Sequence, residues 1–331
     1  MSAHSFRYAL EYALAKTALA IVPRLRRQTV VRLANISGTV AVFFAREQSR
    51  VALANLDIAF GEKKTRVEKV QIVRRSFQTF ALTLLDMFWF ASDTAKRTRK
   101  WVVFGPGYSS LFQERAQICV TAHMGNWEVL GMAFSVFGFP LSSVAAPLAN
   151  RKIDRLFIEI RKKTGQQILS KHGAVRGMLK TLKGGGRVAL VLDQNTKPSA
   201  GGIFVDFFGV PAPVSPVVAS LALRTGAEIY IGIGLPDVNG RYYSPSLEQI
   251  AVPAGGADRQ DTERELTVSI MKNIEQLLLK YPEYWLWMYK RWKYIQPGTE
   301  ASRYPYYAKQ LSQRDLAAYE NTVKAKPRQP A

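Results

Sequence analysis

The sequence predicts an α/β protein with a mainly parallel central sheet flanked by helices, preceded by an N-terminal helical, membrane-associated segment. Two patterns point there. Residues 1–92 carry apolar residues at mixed spacings of three and four and show no strand-like alternation. From residue 118 onward, short apolar runs alternate with amphipathic stretches of about ten residues, as strands joined by crossover helices do. A chain of 331 residues can bury one large core or two small ones, and a hydrophobic fraction of 47% is ordinary for a globular protein.

The elements follow in order. Residues 8–23 (YALEYALAKTALAIVP) are apolar except for Glu11 and Lys16, and Arg24, Arg26 and Arg27 follow. The stretch is shorter than the roughly 20 apolar residues of a relaxed span, and no small-residue cleavage site follows cleanly. It reads as a helix lying in the membrane surface or as a marginal span with its basic flank cytoplasmic; an ordinary core helix is the alternative. Val31–Phe44 and Thr65–Phe90 read as further helices. In the latter, Val70, Val73, Phe77, Phe80 and Leu84 trace one face, and the closing LLDMFWF is apolar apart from Asp86, which predicts burial or membrane contact.

Ile118–His123 is a short apolar strand, Trp127–Phe137 a helix and Ser142–Ala146 a strand. Ile153–Thr164 and Ala174–Leu182 are amphipathic helices. A buried strand over Arg187–Asp193 is announced by Gly184, Gly185 and Gly186; Pro216–Arg224 is helical, Ala227–Gly234 a strand and Thr262–Lys280 a long final helix. That helix leads into PEYWLWMYKRWK (282–293), whose tryptophans and basic residues resemble a membrane-interface belt or a packed core. After Pro297 the chain is polar and Tyr-rich, ending in KAKPRQPA, a mobile tail by composition. The expected units are a helical membrane-associated region over 1–92, an α/β domain over 93–297 and a polar C-terminal tail over 298–331.

Lys and Arg number 46 against 25 Asp and Glu, a net charge of +21. Such a field favours anionic partners: phospholipid headgroups, nucleic acid or an acidic protein. The single cysteine, Cys119, excludes an intramolecular disulfide and a Cys-rich metal site, and its apolar neighbours make it a buried small hydrophobe. No Walker loop, HExxH or GxSxG elbow occurs. The GxGxxA match from Gly184 to Ala189 precedes a strand, so it is a turn and not a dinucleotide fingerprint. Neither cofactor nor metal is expected.

There are three histidines: His4, His123 and His172. His4 is in the terminal segment and His172 in a polar stretch before a helix. His123 ends the strand ICVTA and enters MGNWEVLGMAF, at the strand end that borders the crevice of an open α/β sheet. Gly125 permits close approach of backbone or substrate, Asn126 suits an N-cap, and Glu128 would lie in the first helical turn. A carboxylate there could orient the imidazole and leave its other nitrogen as a base; a satisfied structural histidine is the alternative.

The segment His123-Met-Gly-Asn-Trp-Glu128 is a His-x4-Glu motif that resembles the late acyltransferases of lipid A biosynthesis. RVALANLDIAF (50–60), RRSFQTFALTLLD (74–86), Asp193-Gln194-Asn195 with FVDFFGVPA (204–212), LALRTGA (221–227) and PEYWLWMYKRWK also look like that family in order and spacing. The resemblance covers roughly residues 8–295. It implies direct acyl transfer from a thioester, usually on acyl carrier protein, to a hydroxyl of an anionic membrane glycolipid such as a lipid A precursor. The enzyme would sit with membrane phospholipids at the cytoplasmic face of a bacterial inner membrane. His123 would deprotonate the acceptor with Glu128 in support, and Arg161 would correspond to an arginine the family appears to use. Gly125, Asn126, Asp193 and Gln194 join the expected substrate-binding set. Asp193 ends a buried strand, so it either serves the site or caps the next turn; Lys197, Gly201 and Gly202 suggest a headgroup loop. Tyr289 stands where relatives often carry histidine, which leaves the acceptor open. Two other classes compete: a basic nucleic-acid-binding protein, for which no recognised module appears, and a catalytically inactive membrane scaffold on the same fold.

Overall fold

The computed structural model describes residues 3–145, 147–170, 173–253 and 258–324. His172 and most of KAKPRQPA lie outside them. Four helices open the chain: α1 (Ala3–Ile21), α2 (Arg27–Phe44), α3 (Arg46–Phe60) and α4 (Arg66–Trp89). Thr65 starts α4 with a reciprocal capping box, its hydroxyl accepting from Glu68 N–H while the Glu68 carboxylate accepts from Thr65 N–H. The helix α5 (Thr94–Trp101) then leads to β1 (Val102–Phe104) and the main fold.

That fold runs β2 (Gln117–Thr121), α6 (Trp127–Val136), β3 (Leu141–Ala145), α7 (Arg151–Lys162), β4 (Gln167–Ser170), α8 (Ala174–Lys183) and β5 (Arg187–Val191). The hairpin β6 (Ile203–Phe207) and β7 (Val210–Val214), α9 (Val217–Thr225) and β8 (Glu228–Gly232) follow. Then come β9 (Leu235–Pro236), β10 (Tyr242–Ser244), β11 (Leu247–Ile250), α10 (Arg259–Lys280) and α11 (Gln313–Lys324). The six-stranded sheet has the order β11-β8-β2-β5-β3-β4, parallel except for β11 at one edge. β1, β10 and β9 form a small separate sheet. The predicted parallel α/β sheet and helical N-terminus are both present.

Three local expectations change. On α4 the buried stripe is Lys69, Ile72, Val73, Ser76, Phe77, Thr83 and Asp86, while Val70 is 45% exposed and Leu84 is also exposed. Val73 and Phe77 of the traced face are in that stripe; Val70 and Leu84 stray from it because several of its members are polar, and each meets a partner. Ser76 donates to Trp285 C=O, and Thr83 donates to Gly125 C=O at 3.1 Å. Trp285, Trp287 and Trp292 are fully buried, which decides for a packed core over an interface belt. Beyond Pro297 the chain folds back onto the domain: Tyr304 is buried and donates to Pro211 C=O, and Asp315 of α11 accepts from Ser199 and Ser312. The tail expected from composition is therefore packed as far as the chain is described.

Among the described residues no single helix is long and apolar enough to cross a membrane; only α2 together with residues 46–63 reaches that length and apolar character, and the two are bent by 93°. α1 lies against the domain through Asn150, which donates to Tyr8 C=O at 2.9 Å and to Glu11 at 3.0 Å. Its other side leaves Phe6, Leu10, Leu14 and Ile21 exposed.

Candidate active site

β2 and β5 are parallel neighbours, with Thr121 opposite Val191. Two residues past that pair, at the carboxyl ends of both strands, His123 and Asp193 meet. The Asp193 carboxylate accepts from His123 N–H at 2.9 Å through Oδ2 and lies 2.7 Å from His123 Nδ1 through Oδ1. An ionised carboxylate only accepts, so Nδ1 carries the proton and Nε2 keeps its lone pair. Gln194 Nε2 lies 3.3 Å from that atom, and the Trp127 ring stands edge-on to the imidazole at 4.7 Å between centroids. Burial pulls the His123 pKa down, but the charge and hydrogen bond of Asp193, aided by the charge of Glu128, outweigh it; the net direction is up from 6.5. Burial likewise raises Asp193, and the positive imidazole with three N–H donors reverses this, so its carboxyl lies below the ordinary value.

The third donor to Asp193 is Trp285, whose Nε1–H reaches Oδ2 at 2.6 Å. Its backbone runs antiparallel to the His123 turn: Met124 pairs with Trp285, Gly125 N–H donates to Tyr284 C=O at 2.9 Å, and Leu286 N–H donates to His123 C=O at 3.0 Å.

Glu128 departs from its expected place beside the imidazole. It sits in the first turn of α6 and receives Arg161 of α7 in a bidentate pair, Nε to Oε2 at 2.9 Å and Nη2 to Oε1 at 2.7 Å. Its carboxylate thus anchors the guanidinium, and the imidazole takes Asp193. Burial lowers the Arg161 pKa and the Glu128 hydrogen bond and charge more than restore it. The pair leaves Arg161 Nη1 outside it.

Gly125 and Asn126 serve the turn, not the substrate space. Gly125 adopts φ 58°, and a Cβ there would stand 2.0 Å from Gly234 C=O. Asn126 caps α6 by accepting from Val129 N–H at 3.0 Å, while its amide donates to Asp86 at 3.2 Å and Tyr242 Oη at 2.9 Å. Asp86 in turn holds the fully buried Arg27, which also donates to Gly240 C=O at 2.7 Å. Tyr289 accepts from Asn195 N–H at 3.0 Å, Lys197 pairs with Asp315 at 3.7 Å, and Gly202 makes a turn too tight for a Cβ beside Thr196 C=O.

His123, Glu128, Arg161 and Gln194 line one cavity of about 480 Å³. Cys119, Leu141 and Ala189, further back along the strands, and Leu130 and Phe134 of α6 give it apolar walls. Burial pushes the Cys119 thiol up to about 12, so it acts there as wall and not as nucleophile. The arrangement offers a base whose proton partner is fixed, a cation held by a carboxylate, and an apolar space behind both. Trp285 and Trp127 were not singled out at this site from the sequence; the aromatic richness of 282–293 was the available signal.

Residues 2–294 match the family model described as bacterial lipid A biosynthesis acyltransferase. The chain is 25% identical to the lipid A biosynthesis lauroyltransferase of Escherichia coli (strain K12), over 86% of this chain and 91% of that protein. It is 22% identical to the lipid A biosynthesis palmitoleoyltransferase of the same strain, over 81% and 85%. A phosphatidylinositol mannoside acyltransferase of Mycolicibacterium smegmatis is 28% identical over 37% of this chain and 41% of that one. With the model matched over nearly the whole chain, this protein belongs to the bacterial lipid A biosynthesis acyltransferase family.

Proposed function

We propose that the chain transfers a fatty acyl group from an acyl thioester, carried by acyl carrier protein, to a hydroxyl of a lipid A precursor at the cytoplasmic face of the inner membrane. The carrying observation is the His123–Asp193 pair, whose imidazole lines an apolar-walled cavity that Arg161 also lines. His123 Nε2 takes the proton of the acceptor hydroxyl as its oxygen attacks the thioester carbonyl. Asp193, accepting from Nδ1–H, stabilises the imidazolium. The tetrahedral oxyanion gathers charge that Arg161 neutralises, with Glu128 holding the guanidinium still. The carbon–sulfur bond then breaks, and the thiolate takes the proton back from Nε2. The acyl chain occupies the space walled by Leu130, Phe134, Leu141 and Ala189.

Two surfaces support the partners. The net charge of +21 suits an acidic carrier protein and phosphorylated lipids. On α2 the residues Leu33, Ile36, Val40, Phe43 and Phe44 are exposed, the last two at 71% and 84%, a stripe at helical spacing. From Tyr12 to Arg46 the chain carries Lys16, Arg24, Arg26, Arg32 and Arg46, besides the buried Arg27 that Asp86 neutralises, and no acidic side chain. That combination fits a helix bedded in an anionic bilayer surface. The test is acyl transfer by purified protein from acyl carrier protein thioesters to defined lipid A precursors, followed by mass spectrometry. No acylated product with any such pair, from folded protein, would overturn the proposal.

A further inference from the structure

We infer that Trp285 is a positioning residue that sets the basicity of His123 through Asp193. This rests on the reading of His123 as the base and adds the group that tunes it. The Asp193 side chain is buried, and its oxygens are divided among the described residues: Oδ1 serves His123 Nδ1, while Oδ2 accepts from both His123 N–H and the Trp285 indole. The indole is not a casual donor. Trp285 is 1% exposed, stands edge-on against Trp287 at 4.6 Å and near Phe207 at 6.1 Å, and its own carbonyl accepts from the Ser76 hydroxyl. Pairing with Met124 fixes it in register with the His123 turn. The ring is therefore held with its N–H on the carboxylate while the same segment holds the backbone that carries the imidazole.

A buried carboxylate that shares its charge among three donors pulls less strongly on any one proton. Removing the indole donor leaves more of that charge on the Nδ1 proton, so the imidazolium becomes harder to deprotonate. The other charged or titratable groups around the pair among the described residues are Glu128 of α6, Arg161 of α7, and Tyr289 and Arg291 of the 282–293 segment; Trp285→Phe alters none of them.

The experiment is the titration of His123 by nuclear magnetic resonance in detergent-solubilised full-length protein, with the signal identified by its loss in His123→Gln. Trp285→Phe keeps an aromatic ring and loses the N–H. Its His123 midpoint should rise by about half to one pH unit, and the acid limb of kcat/KM should move with it while KM for the donor stays in place. In the unsubstituted protein the Trp285 indole N–H signal should titrate with the His123 midpoint, which reads the coupling even if Trp285→Phe does not fold. An unmoved midpoint in folded Trp285→Phe, or an indole signal flat through the His123 titration, overturns the inference. Either result beside an inactive His123→Ala leaves the proposed reaction standing. Full turnover in His123→Ala would instead remove the catalytic reading and, with it, the role assigned to Trp285.

Discussion

Glu128 faces Arg161 across the gap between α6 and α7 with both of its oxygens engaged, at 2.9 and 2.7 Å, and both side chains are less than a fifth exposed. A planar fork on a planar carboxylate fixes direction as well as charge. Arg161→Lys keeps the charge and loses the fork. It should lower kcat at saturating donor by about 100-fold, the scale of one lost oxyanion donor. Glu128→Gln should fall in the same range, and the double variant should be little worse than either single one, since the two act as a unit. Losses that multiply in the double variant would show that they act independently.

His123→Ala should cost about 100- to 10,000-fold in kcat/KM. Because the imidazole pKa is raised, activity in the unsubstituted protein should fall as pH drops through a midpoint above 6.5. Asp193→Asn should move that midpoint down, and a pH–rate profile reads both.

The same pair contributes to stability with a defined sign. The folded His123 pKa is above its unfolded value, so its contribution is complete below about 6.5 and is lost as pH rises through the raised value. Asp193 is depressed, so its part is present above about 3.9 and is lost as pH falls through the lowered value. Urea unfolding at pH 5.5 and at pH 9 should show a larger gap between the unsubstituted protein and Asp193→Asn at the lower pH.

Arg27 and Asp86 form a fully buried pair beneath the cap of α6. Arg27→Met should cost about 3–5 kcal/mol, because it strands a buried carboxylate, while replacing both with apolar residues of similar volume should cost much less. Denaturant midpoints of the two variants decide it; equal losses would mean the charge is not what the site requires.

Phe43→Glu with Phe44→Glu should weaken binding to vesicles of anionic lipid at least tenfold, the scale of desolvating new charges at an apolar contact. Soluble-substrate chemistry and the folded state should be unchanged. Vesicle flotation measures this, and undiminished binding would turn attention to the Phe6, Leu10 and Leu14 face of α1.

The strand leading to His123 and the helix after it were legible because apolar runs and capping chemistry are local. Asp193 was legible as lying at the end of a strand, but its partner was not; the strand stops at Val191 and only Val188 of it is buried, because the cavity opens along it. β5 lies beside β2 only after β3 and β4 are placed on its far side, and no local pattern carries that order. Glu128 is near His123 in sequence and was matched to it for that reason; the helix start at Trp127 sends it to α7 instead. On α4, Ser76, Thr83 and Asp86 face inward against their polarity because backbone and side-chain partners from distant segments wait for them. Polar residues with remote partners are what periodicity cannot see.

The closing of the site by Tyr284–Leu286 has a consequence for synthesis. His123 is encoded first, Asp193 70 residues later, and the segment that pins both after them, so under synthesis from the N-terminus onward it is the last of the three to leave the ribosome. A nascent chain whose N-terminal helices have already emerged therefore still lacks the contacts that fix the His123–Asp193 pair. Under the reaction proposed above, chains interrupted before Leu286 should therefore be inert.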